Sequence, residues 1–203
     1  MTTIVLVRHA ATTWAGRRYC GRADPPLSAA GRAMAADLAV QLAPTLPPDV
    51  RVLSSPSRRA RDTATAIAGR LGLPPVEIDD RWQETDVGLA EGLTFDDVAA
   101  RWPELADALA AGNVDIDWPG GETARDLERR IGEAWSAVVA TGRPTVVVSH
   151  AGSIRVAAAI ATDRASGDVE FLEPAGWIRH EIPAPSAEAS SAAVSTAISV
   201  PTA

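Results

Sequence analysis

The sequence predicts an α/β protein, a three-layer α/β/α sandwich around a mostly parallel central sheet. Short, unbroken runs rich in β-branched residues at 4–7, 50–53 and 145–149 read as strands buried on both faces. These runs alternate with stretches whose apolar residues recur at helical spacing, the pattern of a sheet covered by helices. Each run also ends in residues that carry chemistry: Arg8-His9, then Ser54-Ser55-Pro56-Ser57-Arg58-Arg59, then His150-Ala151-Gly152. Open α/β sheets bind ligands at the carboxyl ends of their strands. If the three strands are parallel neighbours, two histidines and several arginines converge there.

The elements follow in order. After Arg8-His9 a polar stretch runs to Asp24. Ser28 then caps a helix carrying Met34, Leu38 and Leu42 at a spacing of four, which stops before Pro44. Ser55 is expected to cap the next helix, with Pro56 at its first position. Ala60, Ala64, Ile67 and Leu71 give that helix its buried stripe, and Gly72 ends it. A short strand is expected at 76–78 and an ordered loop at 81–92. Thr94 and Asp97 form a capping pair for a short helix that Pro103 interrupts or restarts. Residues 115–122 form a turn-rich loop, and Thr123 caps a helix with Leu127, Ile131, Trp135 and Val138 on its inner face. A helix at about 153–161 follows His150. Residues 169–172 and 177–182 alternate as a closing hairpin or edge strands. From Pro183 onward Ala, Ser, Thr and Pro dominate, which predicts a disordered tail. The organisation expected is one domain over 1–182 and a tail over 183–203.

At 203 residues the chain can bury a real core. Hydrophobic residues make up 46%, yet no apolar run approaches a membrane span, so no membrane association is expected. No signal-peptide pattern opens the chain, and the single Cys20 suits a reducing compartment, so a cytoplasmic location is expected. A net charge of −7 disfavours a nucleic-acid partner. Any anionic substrate must be drawn by local arginines against that field. The oligomeric state is not legible, and a homodimer stays open.

Arg58, Arg59 and Arg61 fall in the first turns of a helix, the end the macrodipole makes unfavourable for cations. Pointing into solvent would cost them little; a bound anion would relieve the conflict. His9 and His150 admit three readings. They are satisfied structural histidines, or metal ligands with Glu84, or a nucleophile towards phosphorus and its partner, with arginines holding the phosphoryl oxygens. Arginines beside a metal would repel it, so no metal and no cofactor is expected.

The motif Arg8-His9-Ala10-x-Thr12-x-Trp14 resembles the signature of the histidine phosphatase superfamily, the phosphoglycerate mutase-like enzymes, which usually read Arg-His-Gly-x-Thr-x-Trp-Asn. The resemblance continues through Tyr19-Cys20-Gly21-Arg22-Ala23-Asp24-x-Pro26-Leu27-Ser28-x-x-Gly31 and Ser54-Ser55-Pro56-Ser57-Arg58-Arg59-Ala60-x-x-Thr63-Ala64. Glu84-x-x-x-Gly88-x-x-Glu91-Gly92, Pro119-Gly120-Gly121-Glu122 and Val148-Ser149-His150-Ala151-Gly152-x-Ile154-Arg155 complete it, in the family's order.

The resemblance implies a phosphoglycerate mutase-like fold and a role for each matched residue. His9 takes the phosphoryl group as phosphohistidine. Arg8 and Arg59 grip its oxygens, and His150 donates to them. Glu84 is the general acid and base, which needs burial or a neighbouring phosphate to hold a proton near neutral pH. Thr12, Cys20, Gly21 and Ala151 lie in the blocks that contact substrate. Glu91 and Glu122 are expected to bind arginines across loops, Arg155 to be structural, and His180 to be a surface strand residue.

Ala10 and Ala151 replace family glycines, which requires ordinary backbone angles there. Ala15 replaces a phosphate-contacting Asn, and the region 162–180 is shortened. The mutases similar to this chain carry a longer insertion after the acid and a basic tail, both absent here. A water-accessible site and a metal-independent phosphomonoesterase are therefore expected, acting on a small phosphorylated metabolite. The alternatives are a phosphoglycerate-type mutase and a catalytically weak phospho-ligand-binding relative. Trp14, Trp82, Trp102 and Trp118 are pocket-lining or core residues.

Overall fold

A computed structural model describes residues 1–183. Five strands order as β3-β2-β4-β1-β5: β1 (Thr2–Arg8), β2 (Arg51–Ser54), β3 (Glu77–Ile78), β4 (Thr145–Ser149) and β5 (Trp177–Ile182). β4 lies parallel between β1 and β2, with Arg8 opposite Ser149 and Ser54 opposite Val148. The expected convergence of the three strand ends follows from this register. β5 runs antiparallel along the outer side of β1.

The side chains of a strand alternate between faces, and both faces of β1 are covered. Ile4 and Leu6 pack with Leu127, Ile131, Trp135 and Val138 of α5 (Ala124–Ala140) and with Ile154 and Ala157 of α6 (Ala151–Thr162). Val5 and Val7 face the other way, against Leu38 and Leu42 of α1 (Ala29–Leu42) and Ala60, Ala64 and Ile67 of α2 (Arg58–Leu71). The result is the three-layer sandwich. The capping pair at Thr94 and Asp97 opens α3 (Phe95–Arg101), and Pro103 starts α4 (Pro103–Ala110). Among the described residues no helix is long and apolar enough to cross a membrane.

Several expectations are corrected. Met34 is exposed, and Ala35 and Ala39 instead complete the stripe of α1, because the buried face follows 3.6 residues per turn and not a strict four. Ser57, not Ser55, precedes α2; Ser55 is occupied with His150, and the Arg58 amide is capped by the carboxylate of Asp24 at 2.8 and 2.9 Å. Residues 169–172 form no strand, since the Leu172 carbonyl is turned towards Arg8 and cannot continue a ladder. His180 is half-buried, edge-on to Trp135 at 6.1 Å between ring centroids. Of the expected tail, 184–203 lies outside the described residues.

Candidate active site

β1 delivers Arg8 and His9, β4 delivers His150, and the first turn of α2 delivers Arg59. The two imidazoles stand edge to face, 5.0 Å between centroids. His9 Nδ1 lies 2.8 Å from the Ala10 carbonyl oxygen. A carbonyl only accepts, so Nδ1 carries the proton and Nε2 presents its lone pair. That lone pair receives the Arg59 Nε–H at 3.2 Å. Burial, then the positive charge of Arg59, and to a smaller extent that of Arg8, drive the His9 pKa down to about 3. His9 is therefore neutral at physiological pH.

Arg59 is only 1% exposed, whereas Arg58 and Arg61 are exposed to solvent. Its Nη1 and Nη2 donate to the Ala23 and Gly21 carbonyls at 2.5 and 2.9 Å. Arg59 thus locks the loop after β1 over the histidine. Gly21 sits at φ +48°, where a Cβ would lie 2.6 Å from Val87 Cγ2, so this close approach needs glycine. Arg8 donates from Nη1 to the Leu172 carbonyl at 2.6 Å, while its buried Nε has no partner among the described residues. Burial also lowers the Arg8 pKa against the opposing charges of Glu84 and Glu173.

His150 is fully buried, and burial, then the neighbouring His9, holds its pKa well below the usual histidine value. Its Nε2 meets Ser55 Oγ at 2.8 Å. Ser57 Oγ lies 3.3 Å from the same nitrogen, and Ser55 Oγ accepts the Ser57 amide at 3.3 Å, so two hydroxyls converge on Nε2. Its buried Nδ1 has no partner among the described residues.

Glu84 approaches from the loop between β3 and α3. Its Oε1 accepts the Thr85 amide at 2.9 Å. A Cβ on Gly152 would lie 2.9 Å from that same oxygen, so the glycine at the start of α6 leaves room for the carboxylate. The loop itself is pinned by groups that sequence reasoning missed. Ser149 Oγ donates to the Trp82 carbonyl at 2.7 Å, and Ser153 Oγ to the Gln83 carbonyl at 2.5 Å. Arg130 Nη1 donates to the carbonyls of Arg81 and Gln83 at 2.7 and 2.9 Å. Glu122 binds Arg130 across both of its oxygens at 2.8 and 2.7 Å, as expected of an arginine partner. Glu91 departs from that expectation: it accepts the backbone amides of Arg22 and Ala23 at 2.9 and 2.7 Å, since those donors face it directly.

A cavity of about 440 Å³ opens at these strand ends. Arg8, His9, Thr12, Cys20, Gly21, Arg59, Glu84 and Ala151 all line it; His150, expected among the phosphate-binding residues, does not line it and packs edge-on against His9. Burial pushes the Cys20 thiol pKa up. Of the four tryptophans singled out, Trp118 lines the cavity and Trp82 is core. The only non-glycine residues at positive φ among those described are Asp163 and Ala175, so Ala10 and Ala151 have the ordinary backbone their methyl groups require. No three His, Cys, Asp or Glu side chains among the described residues cluster closely enough to hold a metal ion.

Sheet order, helix layers and strand-end cavity together define a phosphoglycerate mutase-like α/β fold. Residues 4–177 match the histidine phosphatase superfamily (branch 1), and the chain belongs to that superfamily. It is 37% identical over 169 residues to a bifunctional protein of Mycobacterium tuberculosis, covering 82% of this chain and 46% of that relative. The chain thus spans about half the length of the first curated relatives it matches. It is 36% identical over 160 residues to a metal-independent phosphoserine phosphatase of Arabidopsis thaliana, covering 76% of this chain and 66% of the relative. Among solved structures, a mycobacterial glucosyl-3-phosphoglycerate phosphatase complexed with VO3 superposes with a TM-score of 0.78 at 29% identity, covering 88% of this chain and 90% of that one.

Proposed function

We propose that the protein is a metal-independent phosphomonoesterase that hydrolyses a small phosphorylated metabolite through a phosphohistidine on His9. The observation that carries this reading is the state of His9: a neutral imidazole whose Nδ1–H is spent on Ala10 and whose Nε2 lone pair faces Arg59 in the cavity. A protonated ring could not attack phosphorus; a neutral one can, once a phosphoryl oxygen takes over the Arg59 Nε–H that rests on Nε2.

In the first step Nε2 attacks phosphorus and the P–O bond to the leaving alcohol breaks, the alkoxide taking its proton from the Glu84 carboxylic acid. Charge developing on the nonbridging oxygens meets the unpartnered Arg8 Nε and the Arg59 guanidinium, with His150 and its unpartnered Nδ1 packed beside His9. In the second step water attacks phosphorus, the P–Nε2 bond breaks with its electron pair returning to the His9 imidazole, the water proton passes to the Glu84 carboxylate, and phosphate leaves. Phosphatases among the relatives support hydrolysis, while a 2,3-bisphosphoglycerate-dependent phosphoglycerate mutase, 33% identical over 174 residues, supports transfer as the second reading.

The test is phosphate release from a generic aryl phosphate with excess chelator throughout. The expected result is release that persists in chelator and falls by about three orders of magnitude or more in His9→Ala. Loss of activity in chelator, or phosphate transfer between two hydroxyls without net release, would overturn the reading.

A further inference from the structure

The cavity has a polar floor and a largely apolar wall. Arg8, His9 and Arg59 gather at the strand ends, where the phosphoryl group would sit. The wall is drawn from two separate hydrophobic clusters that both reach the cavity. Tyr19, Val87, Leu109 and Trp118 belong to the small cluster built on α3 and α4. Leu127 of α5 and Val156 of α6 belong to the cluster that covers one face of the sheet. Tyr19 and Trp118 stand edge to face, 5.4 Å between ring centroids, which fixes both rings against each other. Phe171 also lines the cavity and is 55% exposed, a large apolar ring that the fold itself does not cover.

The charges on this wall do not ask for a second anion. Arg155 donates from Nε and Nη2 to the carbonyls of Ser166 and Gly167 at 2.6 and 2.9 Å and lies 4.3 Å over the Phe171 ring. Arg18 donates from Nη1 to the Gly92 carbonyl at 2.6 Å. Exposed Asp115 and Glu128 line the same cavity and repel negative charge. Among the described residues, the one arginine nitrogen that is both buried and unpartnered is Arg8 Nε, on the polar floor. The size carries the rest. About 440 Å³ falls in the range of pockets that enclose small organic ligands. A phosphoryl group takes the room of a few waters, each about 30 Å³. Water left in the remainder would hydrate apolar walls, and an apolar group would release it.

We propose that the leaving alcohol of the substrate is uncharged and carries a bulky apolar group, the size of an aromatic ring or larger, seated against Leu109, Trp118, Val156 and Phe171. This rests on the phosphatase reading above and gives it a substrate class. Arg155 then serves the subsite by packing: it ties the turn Ser166–Asp168 to α6 and holds the Phe171 ring at the cavity.

The experiment measures phosphate release from 3-phenylpropyl phosphate, n-propyl phosphate and 3-phosphoglycerate. The first two leave through primary alcohols of similar basicity and differ by one phenyl ring; the third carries a carboxylate instead. Wild type is expected to favour 3-phenylpropyl phosphate over each of the others by about tenfold or more in kcat/KM, the effect of burying one ring. The ratio of the phenylpropyl to the propyl ester should fall towards unity in Leu109→Asn and in Phe171→Ser. That ratio is taken within one sample, so partial loss of folded protein does not move it. Two hydrolysis-resistant analogues, 3-phenylpropylphosphonate and propylphosphonate, read the same subsite by calorimetric titration. The phenyl compound is expected to show the lower Kd and the more negative heat-capacity change. Equal Kd for the two phosphonates, a preference for 3-phosphoglycerate, or a ratio unchanged in both variants would overturn the apolar subsite. Tighter binding of the phenyl compound with no phosphate released from any ester would uphold the subsite and overturn the phosphatase reading.

Discussion

His9 owes its chemistry to its surroundings more than to its own side chain. The free imidazole would be half protonated near its ordinary pKa of 6.5, whereas the buried one, beside Arg59, titrates near 3. Between those values the unfolded chain holds a proton that the native state refuses, so stability rises with pH across that window and falls on acidification. His9→Gln removes the titration. Its unfolding free energy should lose about 1.4 kcal/mol less per pH unit than wild type between pH 6.5 and 4.5. Urea midpoints at the two pH values check this, and identical slopes would show that His9 is not desolvated. Gly152 makes a second point at this scale. A methyl group there would meet the Glu84 carboxylate at 2.9 Å at ordinary backbone angles. Gly152→Ala should therefore lower kcat by about tenfold or more while costing little stability; steady-state kinetics beside a thermal melt would separate the two effects.

At the scale of elements, motif blocks distant in sequence turn out to be one construction. A Cβ on Gly88 would lie 2.4 Å from the Pro119 carbonyl oxygen, and one on Gly121 would lie 2.3 Å from that of Asp86. The Glu84 loop and the Pro119-Gly120-Gly121-Glu122 turn pack backbone on backbone, which only glycine permits. The Glu122–Arg130 pair ties both to α5, its side chains 9% and 14% exposed. Arg130→Met removes one partner of a buried pair and strands Glu122, so it should cost about 3 kcal/mol and reduce kcat by loosening Glu84; chemical denaturation and kinetics check the two parts. Strand ends, helix stripes and the residues His9, Arg59 and Glu84 were legible in the sequence because they follow short periods and compact motifs. Arg130, Ser149 and Ser153 were not, because each acts through a backbone carbonyl far away in the chain, which leaves no local pattern. The cap of α2 was misplaced for the same reason: Ser55 is a good capping residue, and nothing nearby shows that His150 engages it while Asp24 caps from another loop.

Across the whole molecule, a chain of net charge −7 concentrates buried positive charge at one end of one sheet. Strand order accomplishes this: β4 between β1 and β2 brings His9, His150 and Arg59 to the same edge, and α6 carries Ala151 and Arg155 along the cavity. The chemistry turns on the nucleophile. The most direct measurement mixes the protein with an aryl phosphate, whose good leaving group makes the intermediate accumulate. The reaction is quenched in alkali, and the phosphorylated peptide is mapped by mass spectrometry. The expected result is a phosphoryl group on His9, stable in alkali and lost in acid, where protonation of the ring labilises the P–N bond. A phosphoryl group on Ser55, Ser57 or Cys20, or full turnover in His9→Ala, would contradict it.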